Sequence, residues 1–231
     1  WFLPLMGLLV LSSLLALAGV PEPRRTSPAE SPRLRAVLKM LTARPLIPVW
    51  VATTIFSSLV AVTMAFAAVT AEARGLSRPA LLWATYAGGA AFVRLFGARL
   101  PDRIGPHNLV APALASYATG MLVLATAADN MGFLLGGLLC GAGHGYCFPV
   151  LTSQVVTRTP EHVRGSALAL FTGLWDLSYL LLPPLLGVMA DSHGDALIFF
   201  VSASGAAVGI CLWLILESFW GTAHHRPDVQ K

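Results

Sequence analysis

Hydrophobic residues along this chain fall into seven long runs separated by polar connectors. The runs cover residues 1–20, 46–71, 79–99, 108–128, 131–156, 166–190 and 195–217. A bilayer core about 30 Å thick requires roughly 20 apolar residues for each helical crossing, whereas barrel strands alternate over about 10 residues. The pattern therefore predicts an all-α polytopic membrane protein with seven membrane-spanning helices.

The composition excludes several classes of protein. Of the 231 residues, 56% are apolar and only 11% are charged, and the mean hydropathy is +0.72. Because a soluble domain carries about 25% charged residues, a soluble enzyme, a nucleic-acid-binding domain and a disordered protein are excluded. The three cysteines, Cys140, Cys147 and Cys211, are too few and odd in number for a disulfide framework.

The distribution of lysine and arginine predicts the orientation of the chain. Twelve of these residues lie in connectors on the side of a basic linker, residues 21–45, and of the C-terminal tail, residues 218–231. The opposite side receives only Arg74 and Arg78. Since positive charge stays in the cytoplasm, we expect the linker and the C-terminus to be cytoplasmic in a multi-pass protein of the cell (inner) membrane. The linker ends in a predicted short amphipathic helix around Leu34 and Leu41.

The first apolar run has two interpretations. Ala16-Leu17-Ala18 resembles a small-residue cleavage site, which would make the run a signal peptide. No basic segment precedes the run, however, and cleavage would reverse the charge rule for every later connector. We therefore expect the run to be a membrane helix and an upstream part of the protein to be missing.

The connector after the third run reads GARLPDRIG, residues 97–105, and we call it the latch loop. Gly97 and Gly105 permit close packing and positive φ angles, and Asp102 can accept hydrogen bonds from the N–H groups at a helix start. From these residues alone, the loop is also compatible with a solvated turn that carries ordinary positive-inside arginines, such as Arg103.

The pattern G-x-x-x-x-D-R-x-G, placed between the second and third helices of a six-helix block, resembles the signature loop of the major facilitator superfamily. One helix, a basic linker and six further helices resemble helix 6, the central loop and helices 7–12 of a twelve-helix transporter. Residues 159–171, TPEHVRGSALALF, are similar to the start of helix 11 in efflux-type members. Pro106 and His107 stand where that family often has basic residues.

The resemblance implies a domain organisation and a mechanism. Residues 1–20 would be the last helix of an N-terminal half, and residues 46–217 the six-helix C-terminal bundle. Its partners would be the lipid bilayer, a small-molecule substrate and the missing N-terminal half. Alternating access coupled to protons, as a symporter or antiporter, is the implied activity. The latch loop residues Gly97, Asp102, Arg103 and Gly105 would close the cytoplasmic side together with Arg164.

Two ionisable residues lie inside apolar runs, where a charge costs at least about 2.5–3.5 kcal/mol. Asp176 lies roughly 16 Å along a helix from Gly165, near the middle of the membrane, and is a candidate for binding a proton or the substrate. Arg94 is its candidate counter-charge. A purely structural acid and a snorkelling arginine are the alternatives. We expect Glu217 and Asp191, at helix ends, to be solvated.

The fifth and sixth runs supply further candidate residues. Gly137, Gly141 and Gly145 recur every four residues and predict a smooth face for helix contact or cavity lining. His144, Tyr146 and Trp175 are candidate cavity residues, although a buried neutral histidine is an alternative for the first. Pro149 is expected to end or kink the fifth helix, and Pro183 and Pro184 to kink the sixth.

No metal or other cofactor is expected from the sequence. Cys140, His144 and Cys147 share a helical face, but no fourth zinc ligand is evident nearby. The glycines of the fifth run are not followed by Lys-Ser/Thr, so no phosphate-binding loop is implied.

Two other functions remain open at this stage. The chain could be a seven-helix receptor, although Lys39 and Lys231 lie in polar segments and exclude a retinal-binding one. It could also be a membrane-embedded enzyme, in which Asp176, Arg94 and His144 would be the catalytic groups. The substrate stays open.

Overall fold

The computed structural model describes residues 2–19, 34–76 and 78–221, and all regular structure in these segments is helical. The α-helices are α1 (Phe2–Gly19), α2 (Leu34–Leu41), α3 (Ile47–Ala73), α4 (Ala80–Phe96), α5 (Leu100–Ile104), α6 (His107–Thr126), α7 (Asn130–Thr157), α8 (Arg164–His193) and α9 (Asp195–Trp220). A 3-10 turn at Glu161–Val163 precedes α8. Residues 20–33 of the predicted linker and residues 222–231 of the predicted tail lie outside the described residues.

The chain divides into two compact units. The first, Trp1–Pro32, contains α1, an 18-residue helix without a charged residue. The second, Arg33–Lys231, contains α2 to α9. Its first helix, α2, is the short amphipathic helix predicted at the end of the linker.

Five of the described helices are long and apolar enough to cross a membrane: α3, α6, α7, α8 with its preceding turn, and α9. Helix α4 has only 17 residues and ends at Phe96, earlier than the run at 79–99 predicted. Proline at position 101 explains the difference, because it has no N–H and its ring clashes with a preceding helical turn. Helix α4 therefore ends before Gly97, and a new short helix, α5, begins at Leu100.

The six longest helices of the second unit form two sets of three, α3–α4–α6 and α7–α8–α9, that pack in the same way. The first helix of each set packs against the second and third helices of the other set: α3 contacts α8 and α9, and α7 contacts α4 and α6. The third helices, α6 and α9, contact each other. The two sets therefore make equivalent contacts with one another.

At several glycines α7 comes directly against the backbones of α4 and α6, and two of them, Gly137 and Gly141, belong to the smooth face predicted from the sequence. A Cβ atom on Gly141 would overlap the carbonyl oxygen of Tyr86 in α4, and one on Gly137 would lie 2.8 Å from the carbonyl oxygen of Leu82. On the α6 side, a Cβ on Gly143 would lie 2.6 Å from the carbonyl oxygen of Ala113. Small residues let helix backbones approach closely in membranes.

The prolines lie inside continuous helices. Pro149 is part of α7, which runs on to Thr157, so the expectation that this proline could end the helix is wrong. Burial of α7 between neighbouring helices on two sides stabilises the turns after Pro149. Pro183 and Pro184 likewise lie within α8, whose last residue is His193.

An arginine clamps one end of the bundle. The guanidinium of Arg74, at the C-terminal cap of α3, donates to the carbonyl oxygens of Leu124, Ala125 and Ala127 at the end of α6, at 2.8–3.3 Å. Its Nε also pairs with Asp195 at the start of α9 (3.1 Å). These bonds satisfy carbonyl groups that a helix end leaves without partners.

The opposite end has a corresponding clamp. Arg158, at the C-terminal cap of α7, pairs with Glu217 near the end of α9 and donates to the carbonyl oxygen of Pro45, just before α3 (3.1 Å). Both side chains of the ion pair are only 12% exposed. The expectation that Glu217 is simply solvated is therefore wrong, because its charge is balanced by an arginine 59 positions away.

We predict that Gly141→Ala destabilises the bundle, because the new methyl group has to displace a backbone carbonyl. Overpacking of this kind costs about 1–3 kcal/mol, which lowers the Tm by roughly 3–10 °C. Thermal unfolding of the purified protein in detergent measures the effect. The matched control is Gly173→Ala, since a Cβ at Gly173 meets nothing within 4 Å. Equal Tm values for the two variants would contradict the packing described here.

We also predict that Arg74→Met weakens the bundle by about 2–3 kcal/mol, since hydrogen bonds to a charged group are lost and carbonyl groups at the end of α6 are left unpaired. Unfolding in mixed micelles measures the change. Arg78→Met serves as the control, because Arg78 is exposed and its side chain makes no hydrogen bond or ion pair in the described part of the chain. A control as unstable as the Arg74 variant would show that the clamp contributes nothing specific.

Candidate functional site

His144 lies at the junction of α4, α6 and α7. Its Nδ1 atom is 2.7 Å from the Tyr86 hydroxyl, which in turn lies 3.3 Å from the hydroxyl of the fully buried Tyr117. The ring of Phe56 contacts the imidazole edge-on at 5.1 Å. The histidine predicted as a cavity residue is thus a partly buried group with a hydrogen bond to one ring nitrogen.

Helix α8 carries an aromatic stripe beside this histidine. Phe171, Trp175 and Tyr179 recur every four residues, and the centroids of neighbouring rings are 6.3 and 6.5 Å apart. Helix α8 is fixed against α3 by a hydrogen bond between the Ser57 and Ser178 hydroxyls (2.7 Å). The indole N–H of Trp175 is buried and has no hydrogen-bond partner in the described residues.

A cavity of about 400 Å³, the α7–α8 cavity, opens between the aromatic stripe and α7. Asp176 is in its wall, together with the hydroxyl-bearing residues Thr152 and Thr172. The carboxylate of Asp176 is exposed and makes no hydrogen bond or ion pair with the described residues. The full lining is Phe148, Thr152, Leu168, Phe171, Thr172, Trp175, Asp176 and Tyr179.

A second cavity, the α4–α7 cavity, contains other residues predicted from the sequence. It has a volume of about 310 Å³, and its wall includes Arg94, Gly97, Asp102, Tyr146 and Pro149. The Tyr146 hydroxyl donates to the carbonyl oxygen of Gly97 (3.3 Å), so α7 holds the first residue of the latch loop. The structure therefore joins the latch loop to the predicted cavity residue Tyr146.

The structure does not pair Arg94 with Asp176. The Nε of Arg94 lies 3.5 Å from the carbonyl oxygen of Gly145, and the two charged side chains line different cavities. The described ion pairs are instead Arg74 with Asp195 and Arg158 with Glu217. The predicted counter-charge relation is therefore absent, because Arg94 points to α7 and the latch loop rather than to α8.

The remaining latch residues are divided between α5 and the start of α8. Asp102 and Arg103 are exposed, and Gly105 ends α5 with a φ of 85°, a value that a glycine adopts without strain. The Nε of Arg164 donates to the carbonyl oxygens of Val156 and Thr159, so this side chain closes the connector between α7 and α8 rather than contacting the latch loop.

Several residues of the site were missed from the sequence. Tyr86 meets His144, and Tyr117 meets Tyr86, only through tertiary contacts, and no local pattern indicates them. The aromatic stripe on α8, in contrast, has a signal in the sequence: Phe171, Trp175 and Tyr179 follow one another at a spacing of four, which places them on one helical face.

The described residues contain no group of three or more His, Cys, Asp or Glu side chains that could hold a metal ion. The thiol of Cys140 is buried against the carbonyl oxygen of Tyr117 (3.7 Å). Cys147 is also buried.

Comparison with known protein families identifies the fold. The profile of the Major Facilitator Superfamily matches residues 1–183, more than three quarters of the chain. The chain belongs to the major facilitator superfamily. Transporters of this superfamily carry three-plus-three inverted repeats within each six-helix half, and the equivalent contacts of the two sets of helices are consistent with such a repeat.

Individual proteins similar to this chain are named as transporters of the same superfamily. It is 33% identical over 123 residues to an uncharacterized MFS-type transporter of Salmonella typhimurium, a match that covers 52% of this chain and 32% of that protein. It is 34% identical over 125 residues to uncharacterized MFS-type transporters of Burkholderia mallei and Burkholderia pseudomallei, covering 52% of this chain and 31% of each relative. The matched segments thus span about a third of the relatives' length.

Membership of this superfamily decides between the functions left open by the sequence. Its members are multi-pass membrane transporters rather than enzymes, so the membrane-embedded enzyme and the receptor are set aside. Asp176, Arg94 and His144 are therefore candidates for a transport path rather than for catalysis.

We predict that Arg94 and Asp176 act independently on stability. The losses caused by Arg94→Gln and Asp176→Asn should add in the double variant to within about 0.5 kcal/mol, because residues without a shared contact do not couple. Reversible unfolding of the wild type, both single variants and the double variant gives the coupling energy. A coupling above about 1 kcal/mol would mean that the two charges pair after all.

Proposed function

We propose that this chain supplies the C-terminal half of a secondary active transporter that moves a small solute by alternating access. One observation carries this proposal: the wall of the α7–α8 cavity places a carboxylate, Asp176, inside a membrane-length helix and leaves it without a partner. A charge in this position is costly and is typical of an ion or substrate path.

The packing of α8 supports a further half on this side of the bundle. Only 17% of the most apolar window of α8 is buried, compared with 56% for α3. Among the exposed residues of α8 are Asp176 and Tyr179, which are polar. In the proposal, a further half with its own six helices covers this face and completes the path.

The coupling in this proposal is to protons, and Asp176 is the group that binds them. A carboxylate without a counter-charge inside a membrane segment costs several kcal/mol, and binding of a proton removes the charge. Trp175 lines the same cavity as the carboxylate, and His144 stacks on Phe148 behind the cavity wall. In the proposal both residues belong to the substrate path. Arg94 contributes positive charge near the latch loop instead of pairing with Asp176.

The orientation in the proposal has the linker and the C-terminus in the cytoplasm of a protein of the cell (inner) membrane, because positive charge is concentrated on that side. The efflux-type antiport in the proposal rests on the resemblance of residues 159–171 to efflux-type members. In this orientation the latch loop and Arg164 lie at the cytoplasmic ends of α4 and α8, where closure of the path would occur.

Inverted membrane vesicles that contain the product of the whole coding sequence test the proposal. In vesicles acidified by respiration, a transported solute should release protons and restore the fluorescence of a pH-sensitive dye. We predict that one chemical class in a panel of sugars, amino acids, organic cations and organic anions gives this response, and that Asp176→Asn abolishes it, because the carboxylate that binds the proton is gone.

Asp191→Asn is the matched control, since Asp191 is exposed near the end of the same helix and makes no hydrogen bond or ion pair with the described residues. It should behave like the wild type. A full response from the Asp176 variant would refute the proton-binding role. Vectorial uptake into liposomes by the 231-residue chain alone would refute the need for an N-terminal half.

A further inference from the structure

The α7–α8 cavity has an unusually aromatic wall. The ring of Phe148, from α7, lies 5.9 Å from that of Phe171 and 5.6 Å from that of Trp175, both from α8. The Tyr179 ring is nearly parallel to the Trp175 indole, with an interplanar angle of 18°. We call these four residues, Phe148, Phe171, Trp175 and Tyr179, the aromatic cage.

Contacts behind the aromatic cage fix its central rings. Phe56, fully buried in α3, contacts the Trp175 indole edge-on at 5.0 Å. The His144 imidazole stacks on Phe148 with an interplanar angle of 3°. Because His144 is itself held by the Tyr86 hydroxyl, the rings of Phe148 and Trp175 rest on groups with defined positions. The cage is therefore formed before any ligand binds.

The charge at the cage is negative and uncompensated. Asp176 adjoins Trp175 in the chain and lines the same cavity. Neither ion pair in the described residues involves Asp176. Arg94, the counter-charge expected from the sequence, lines the α4–α7 cavity instead. A carboxylate beside aromatic faces, without a cation from the chain, is suited to a cation that comes from outside.

We propose that the aromatic cage and Asp176 bind an organic cation, in which a quaternary or protonated nitrogen or a phosphonium carries apolar groups. Aromatic faces attract such cations through the ring quadrupole, and the attraction grows when the cation is desolvated. The volume of about 400 Å³ is within the range of cavities that hold small molecules. Thr152 and Thr172 add hydroxyl groups for polar substituents. The inference rests on the proposed transport function and assigns its substrate class.

A pair of ions of equal shape and opposite charge tests the inference directly. Tetraphenylphosphonium and tetraphenylborate differ chiefly in the sign of their charge, so a merely apolar cavity would bind both. Equilibrium dialysis of the purified protein in lipid nanodiscs, with each radiolabelled ion, gives the two dissociation constants after correction with empty nanodiscs. We expect tetraphenylphosphonium to bind at least about tenfold more tightly than tetraphenylborate.

Variants separate the contribution of the carboxylate from that of the rings. Asp176→Asn should weaken tetraphenylphosphonium binding about tenfold or more and leave tetraphenylborate binding no weaker. Trp175→Leu should weaken tetraphenylphosphonium binding more than Trp175→Phe, which keeps an aromatic face. Asp191→Asn is the control for loss of a carboxylate elsewhere on α8. Size-exclusion chromatography and circular dichroism confirm that each variant is folded.

The outcomes distinguish this inference from the proposed function. Equal affinities for the two ions, or unchanged tetraphenylphosphonium binding by Asp176→Asn, would overturn the cation site, even if the vesicle assay shows proton-coupled flux of another solute. Charge-selective binding that depends on Asp176, without flux in vesicles, would support the site and count against the transport mechanism.

Discussion

The contact between α7 and its two neighbours consists largely of backbone, and the rest of the bundle is arranged around it. Gly137 and Gly141 bring α7 against carbonyl groups of α4, and Gly143 brings it against α6. At such distances any side chain would push the helices apart, so the position of α7 is determined by sterics rather than by adjustable side chains. The Tyr86 hydroxyl reaches both His144 on α7 and the Tyr117 hydroxyl on α6 because the three helices are held this close.

This rigid contact has a direct effect on the candidate site. His144 and Phe148 are one turn apart on α7, so fixing the helix also fixes one wall of the α7–α8 cavity. The other wall is held differently: α8 packs on α3 through the Ser57–Ser178 hydrogen bond and the contact of Phe56 with Trp175. The α7 wall of the cavity thus rests on α4 and α6, the α8 wall rests on α3, and Asp176 belongs to the α8 wall.

The sequence predicted the helices well because a membrane span requires a long apolar run, which is visible without any tertiary information. The last run, residues 195–217, differs from α9 only at its C-terminal end. The end predicted from the third run was wrong, because the helix stops at Phe96 although the apolar run continues to residue 99. The proline at position 101 prevents a continuous helix, and the length of an apolar run contains no information about this restriction on the backbone.

The site was predicted less completely, for a different physical reason. Asp176 and Arg94 were found because a charge inside an apolar run is conspicuous, but their partners depend on which helix faces which. The pairing of Glu217 with Arg158 and the hydrogen bond of His144 to Tyr86 join residues 59 and 58 positions apart, so no local spacing indicates them.

The two arginine clamps hold four of the six long helices of the bundle and leave two outside. Arg74 ties the ends of α3, α6 and α9 together, and Arg158 ties α7 and α9 to the segment before α3. These four helices form a pinned frame, whereas α4 and α8, the second helices of the two sets, take part in neither clamp. Arg94 and Asp176 are on these two helices, which neither arginine clamp holds. A shift of α4 or α8 that carries its charge with it would therefore leave both ion pairs at the ends of the bundle intact.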